Sequence, residues 1–417
     1  MTSSRVTTGR AFVLAVVPAL LLARCGLWPS FPDELLSGDG GADARTDAAD
    51  ARTDGETGVQ TDGGPGSDAD ATVADVPSDV PDPQWNGFRT CGPPPNMMLT
   101  PEPAFMAMPN PLAGRSFARD ITFDGQGNML IVGRDSSGFP TLARVTSAGT
   151  VRVFYTAMQG LFFGARYLVD GRVVLTGSFQ LGGTMNITQG VTILTPAGTV
   201  EGRLPSATAT PWGSVAHPNG SFVVIDSSDA QLLPFGSGML PATLPTPVNT
   251  AGAMPPAPET MRAAIYSANY RKLFTVAANN NIIHEYNVDE AGVIDGMSRR
   301  VYATLPANSF PRSLAFDECG NLYVTLSIAG SPASGALVRI PARGGMPFTL
   351  ATFDSVDAQR TIAFGDGMRF PATSLYIADS LPGNPPMVPS EIVVRRIDVG
   401  IPGQPIVRPS STMVRDM

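Results

Sequence analysis

Two stretches of this chain, nearly two hundred residues apart, almost repeat one another. Arg119-Asp-Ile-Thr-Phe-Asp-Gly-Gln-Gly-Asn-Met-Leu-Ile-Val132 is echoed by Arg312-Ser-Leu-Ala-Phe-Asp-Glu-Cys-Gly-Asn-Leu-Tyr-Val324. Each copy reads as a strand, a turn built on Asp and Gly-Asn, and a second strand. Weaker copies lie at Tyr167 to Leu175, at Ser214 to Asp226, and at Arg262 to Tyr266 with Lys272 to Val276. A last one is Arg360 to Phe364 with Ser374 to Asp379. Equivalent positions fall about 46 to 50 residues apart, which makes six units over roughly 119–405. Later strands fit the remainder of each unit: Leu142 to Val145 then Val151 to Tyr155, Val191 to Leu194 then Val200 to Leu204, and Leu337 to Ile340 then Phe348 to Phe353. A period of that length holding four strands marks a propeller blade. One blade alone leaves edges and a face uncovered, and six around an axis bury both.

The chain ahead of the repeats has two different textures. Arg5 and Arg10 precede an apolar run from Ala11 to Ala23, too short to span a bilayer, so residues 1–25 read as a signal peptide. The run ends at Leu-Ala-Arg-Cys25-Gly, which resembles the lipobox of bacterial lipoproteins and makes Cys25 the candidate lipidation site. Arg24 departs from that motif, which wants a small residue there. The other reading is an ordinary secretory cleavage nearby. Residues 26–84 then form an Asp, Gly and Ala-rich linker, with too little apolar surface to offset ordering entropy. Between residues 33 and 82 stand twelve Asp and two Glu against two Arg. The chain's net charge of −8 therefore belongs to this spacer, and the propeller, residues 85–417, is close to neutral. The expected architecture is all-β: a six-bladed β-propeller preceded by a signal peptide and a disordered acidic linker.

The best units, Pro311-Arg-Ser-Leu-Ala-Phe-Asp317 and Gly320-Asn-Leu-Tyr-Val324, resemble those of NHL-repeat propellers and of the related gluconolactonase-like six-bladed propellers. The resemblance covers about two thirds of the chain and implies architecture better than activity, since one such fold hosts binders, hydrolases and lyases. It also implies one catalytic alternative, a metal-dependent lactonase-like hydrolase with Ca or Zn held in the channel by Glu, Asn and Asp. Asp226 and Asp379, at aligned strand ends, are the candidate metal ligands, with Asn219 in a Pro-Asn-Gly turn. No acidic Glu-Gly-Pro segment opens the first blade, so the set is incomplete.

The residues themselves point to a different chemistry. Arg119, Arg262, Arg312 and Arg360 each stand four places before the first strand's aromatic position, Trp212 takes that place in the third unit, and Arg166 is read one place off register. If that strand is innermost, the guanidinium groups ring one channel mouth and favour a carboxylate, phosphate or sulfate. The competing reading is structural, with the arginines paired to strand-end aspartates or backbone carbonyls. Cys91 and Cys319 are an even pair in an oxidising compartment and read as a disulfide, or else as two separate thiols. The two histidines, His217 and His284, show no triad or metal spacing, and His217 takes a turn position that is Asp elsewhere. A near-neutral exported propeller is a poor candidate for nucleic acid. The expectation is an exported, monomeric binding or scaffold propeller of the cell envelope, lipid-anchored if Cys25 is processed. Its partner would be a small anionic ligand or a protein, and the lactonase stays as the alternative.

Overall fold

The computed structural model describes residues 98–100, 102–107, 119–135, 137–180, 187–206, 209–227, 231–248, 260–277, 279–328, 335–342, 346–353, 361–382, 389–405 and 407; for 102–107, 379–382 and 389–392 only the backbone is described. The signal peptide, the acidic linker, Cys25, Cys91 and Arg360 lie outside the described residues, as does the side chain of Asp379.

The described chain is all strand and turn, arranged as six antiparallel sheets. Blade one is β2 (Asp120–Phe123), β3 (Asn128–Arg134), β4 (Pro140–Thr146) and β5 (Val151–Thr156). Blade two is β6 (Gly160–Tyr167), β7 (Val173–Gln180), β8 (Ile187–Leu194) and β9 (Val200–Ser206). Blade three shows β10 (Pro211–Ala216), β11 (Phe222–Asp226) and β12 (Gln231–Phe235). Blade four is β13 (Met261–Tyr266), β14 (Lys272–Ala277), β15 (Ile282–Val288) and β16 (Ile294–Thr304). Blade five is β17 (Ser309–Phe316), β18 (Leu322–Ile328), β19 (Gly335–Ile340) and β20 (Phe348–Phe353). Blade six is built from β21 (Thr361–Phe364), β22 (Ser374–Pro382) and β23 (Pro389–Asp398), with β1 (Glu102–Ala107) as its fourth strand.

The turn between the first two strands of a blade shows why the repeat has its sequence. In blade five the buried Asp317 carboxylate accepts from the N–H groups of Cys319 (2.9 Å) and Asn321 (2.8 Å), from Asn321 Nδ2 (2.7 Å) and from the Tyr323 hydroxyl (3.0 Å). Asp124 does the same in blade one for Gln126 and Asn128. The Gly of each Gly-Asn pair has positive φ, 89° at Gly127 and 80° at Gly320, a conformation only glycine adopts without strain. In blade three His217 stands in for the aspartate, its Nδ1 accepting from Asn219 N–H at 3.3 Å, which makes it the turn residue that the repeat implies.

The apolar core is not one mass but six wedges, one for each junction between neighbouring blades. Phe123 and Met129 of blade one, for example, pack on Phe370 and Tyr376 of blade six. That last junction is reinforced by Asp366, whose carboxylate accepts from Gly127 N–H at 2.6 Å. Ring closure is completed by β1, which pairs antiparallel with β23 as the outermost strand of blade six, Glu102 opposite Arg396 and Met106 opposite Val394. Sequence reading started the blades at residue 119 and missed this strand. Its Pro103 is a poor strand former, tolerated because the strand is an edge.

Candidate functional site

The first strands, β2, β6, β10, β13, β17 and β21, line the central channel. In four of them the ladder with the next strand slips by one residue near the start. Pro211 pairs with Asp226 and Gly213 with Ile225, leaving Trp212 extra; Arg262, Arg312 and Phe163 are skipped in the same way. Such a bulge re-aims a side chain that would otherwise follow the pleat. Here it turns each toward one mouth, where Arg119, Phe163, Trp212, Arg262 and Arg312 line a single cavity of about 40 Å³. On such a measure one water needs about 10–15 Å³, so the space suits a small ion or a few waters. The bulge corrects one detail of the register: the blade-two equivalent of the arginines is Phe163, not Arg166.

The aromatic members explain the break in the arginine series. Phe163 and Trp212, on adjacent blades, stack with ring centroids 4.4 Å apart and planes 12° from parallel. The guanidinium carbon of Arg262 lies 3.7 Å from the centroid of Trp212. Blades two, three and four thus present a continuous stack of ring, ring and guanidinium.

Arg166 also lines the cavity, but its Nη1 is committed to the buried Asp120 carboxylate, which also accepts from Ala165 N–H at 3.0 Å and Ile121 N–H at 2.9 Å. Burial pushes the Asp120 carboxyl up, and the Arg166 charge and these hydrogen bonds oppose it. Arg312 donates from Nε to Ser327 Oγ at 3.0 Å. Arg262 differs from both. Its buried Nε and Nη1 have no hydrogen-bond partner among the described residues. Burial first, then repulsion from Arg312 and Arg119, bring its guanidinium down from its ordinary value to about 10. Two further lining groups are in the same position: Ser214 Oγ and Thr361 Oγ1 are buried, 2% and 7% exposed as residues, and lack partners among the described residues. Neither hydroxyl carried any signal in the sequence.

Neither candidate metal ligand is among the described lining residues of this cavity. Asp226 is 1% exposed at the end of β11 and accepts from Thr210 N–H at 2.8 Å. The backbone of Asp379 lies in β22, paired with Val393. Among the described residues no three His, Cys, Asp or Glu side chains come together as a metal site would require.

No protein-family model and no curated protein matches this sequence. Solved structures do match its shape. A calcium-binding protein, regucalcin, from Agrobacterium tumefaciens aligns over 75% of this chain and 97% of its own, at 13% identity and TM-score 0.52. A gluconolactonase from Xanthomonas campestris aligns over 74% and 96% at 11% identity and TM-score 0.48. An auxiliary nutrient binding protein from Bacteroides ovatus aligns over 67% and 69% at 14% identity and TM-score 0.47. The chain is a six-bladed propeller and shares its fold with that regucalcin. At these identities the likeness is one of fold.

Proposed function

We propose that this is an exported binding propeller whose arginine-lined mouth takes a small oxyanion, a carboxylate, sulfate or phosphate. The observation that carries the reading is the group of donors without partners: Arg262 Nε and Nη1 beside the hydroxyls of Ser214 and Thr361, in a cavity also lined by Arg119 and Arg312. An oxyanion with several lone pairs accepts from all of them and relieves the repulsion among the arginines. Fold kinship does not favour the lactonase alternative. Asp226 serves a backbone N–H. Isothermal titration of sulfate, phosphate and acetate tests the proposal. Saturable binding that Arg262→Met weakens at least ten-fold supports it, and absence of binding by all three overturns it.

The address belongs to the same proposal and rests on sequence. Residues 1–25 direct export, Cys25 is the anchor site, residues 26–84 are the tether, and Cys91 pairs with Cys319 to hold the chain ahead of the blades to the fifth blade. Intact mass of the mature protein separates a diacylated Cys25 from a plain cleaved terminus. Peptide mapping without reduction identifies the cysteine pair, and two free thiols would remove that element.

A further inference from the structure

The opposite end of the channel holds a larger cavity, about 120 Å³, that the oxyanion reading does not use. The greater part of its wall is apolar, from Ile121, Phe123, Val215, Leu314, Phe316 and Ile362 on the inner strands. Its cover is the C-terminal segment. After β23 the chain crosses this end, with Gly403 bridged to Asp317, Gln404 N–H on the Phe316 carbonyl at 2.9 Å, and the Pro405 carbonyl accepting from the Tyr270 hydroxyl at 3.1 Å. Gly403 is required for the crossing, since a Cβ there would lie 2.1 Å from that of Phe364.

Two polar groups of this lining are left over. The Tyr266 hydroxyl is buried on a residue 1% exposed, and Gln404 Oε1 is buried on the covering segment; neither has a hydrogen-bond partner among the described residues. A hydroxyl and an amide oxygen buried in apolar walls each cost free energy unless paired. The one charged side chain among the described lining residues, Arg166, is already neutralised by Asp120.

We infer that this cavity is a second binding site, for a compact uncharged molecule with an apolar body and one hydroxyl group. The volume sets the size, since a dry cavity of about 150 Å³ accommodates benzene. The apolar walls set the body. A ligand hydroxyl is the smallest uncharged group that can both accept from Tyr266 and donate to Gln404 Oε1, where an ether or ketone oxygen can only accept. With Arg166 paired to Asp120, no uncompensated charge among the described lining residues calls for a charged ligand. The site shares Arg166 and Ala264 with the oxyanion mouth, but neither proposal draws a donor or acceptor from them, so either can fail without the other.

The test compares cyclopentanol with cyclopentane on the full-length protein in sulfate-free and phosphate-free buffer, by saturation-transfer NMR and thermal melting. Cyclopentanol should bind saturably and about ten-fold more tightly than cyclopentane. Tyr266→Phe removes only an unpartnered oxygen, so the variant should fold and lose that preference. Ala363→Leu, which fills the cavity from the sixth blade, should abolish binding of both probes. Equal affinity for the two probes, binding of neither, or an unchanged preference in Tyr266→Phe overturns the inference.

Discussion

Replacing Arg262 by methionine should do the reverse of what losing a buried arginine ordinarily does. A paired buried charge is costly to remove, typically about 3–5 kcal/mol, because its partner is stranded. Arg262 strands nothing: its Nε and Nη1 have no partner among the described residues, and its charge is disfavoured by burial, Arg312 and Arg119. A guanidinium brought from its ordinary value down to about 10 carries an unfavourable cost of about 3 kcal/mol. Solvent screening of this part-exposed group reduces that to about 1–2 kcal/mol. Methionine forfeits the guanidinium's attraction to Trp212, about 1 kcal/mol, but keeps a polarizable apolar chain on the ring. In low-salt buffer without oxyanions, Arg262→Met should therefore be unchanged or up to about 1 kcal/mol more stable, read as the urea midpoint at constant slope. Sulfate at a hundred times its Kd should then raise the wild type by about 2.7 kcal/mol and the variant far less, reversing their order. A variant that loses 2 kcal/mol or more without anion would refute the reasoning, since it would mean the guanidinium is satisfied at rest.

Three other outcomes are expected. Asp317→Ala removes the acceptor for two backbone N–H groups, an amide and a phenol, and should cost about 3 kcal/mol in urea unfolding, a cost of under 1 kcal/mol showing that water replaces it. Burial pushes the Tyr167 phenol up to about 12 and raises Tyr266 and Tyr323 as well. Because the folded state then holds protons that the unfolded chain releases near pH 10, stability present below that pH should fall as pH rises through 10–12, with tyrosinate absorbance appearing together with unfolding; early ionisation in the folded state would contradict it. Deleting Glu102–Ala107 strips the outer partner from β23 and should lower the urea midpoint and produce concentration-dependent association by light scattering, whereas an unchanged midpoint would mean that β1 does not hold the ring.

The fold was legible because its turn is written in side chains. Asp124 and Asp317 each organise their own hairpin from within five or six residues, so the sequence states the geometry locally. Blade four is fainter for a physical reason: Ser267 replaces the aspartate, the turn has one more residue, and Tyr270 takes the left-handed position at φ 58°. The closing strand β1 was illegible, since its register is set by Arg396 and Val394, almost three hundred residues away. The mouth was half legible. Its arginines recur at a fixed offset, whereas Phe163 reads as one more core aromatic and the nearby Arg166 carries the charge. Asp120, which neutralises Arg166, stands next to Arg119 in the chain but meets its partner only across a blade boundary.

The bulge also separates two jobs within one strand. At Phe163, Trp212, Arg262 and Arg312 the extra residue has no cross-strand counterpart, so its side chain takes no part in setting which residues face the core. Elsewhere on these strands an exchange disturbs a wedge between blades; at these positions it acts first on the mouth. In these four blades the inner ring therefore works like a keyboard, on which a new chemical specificity can be spelled without rebuilding the instrument.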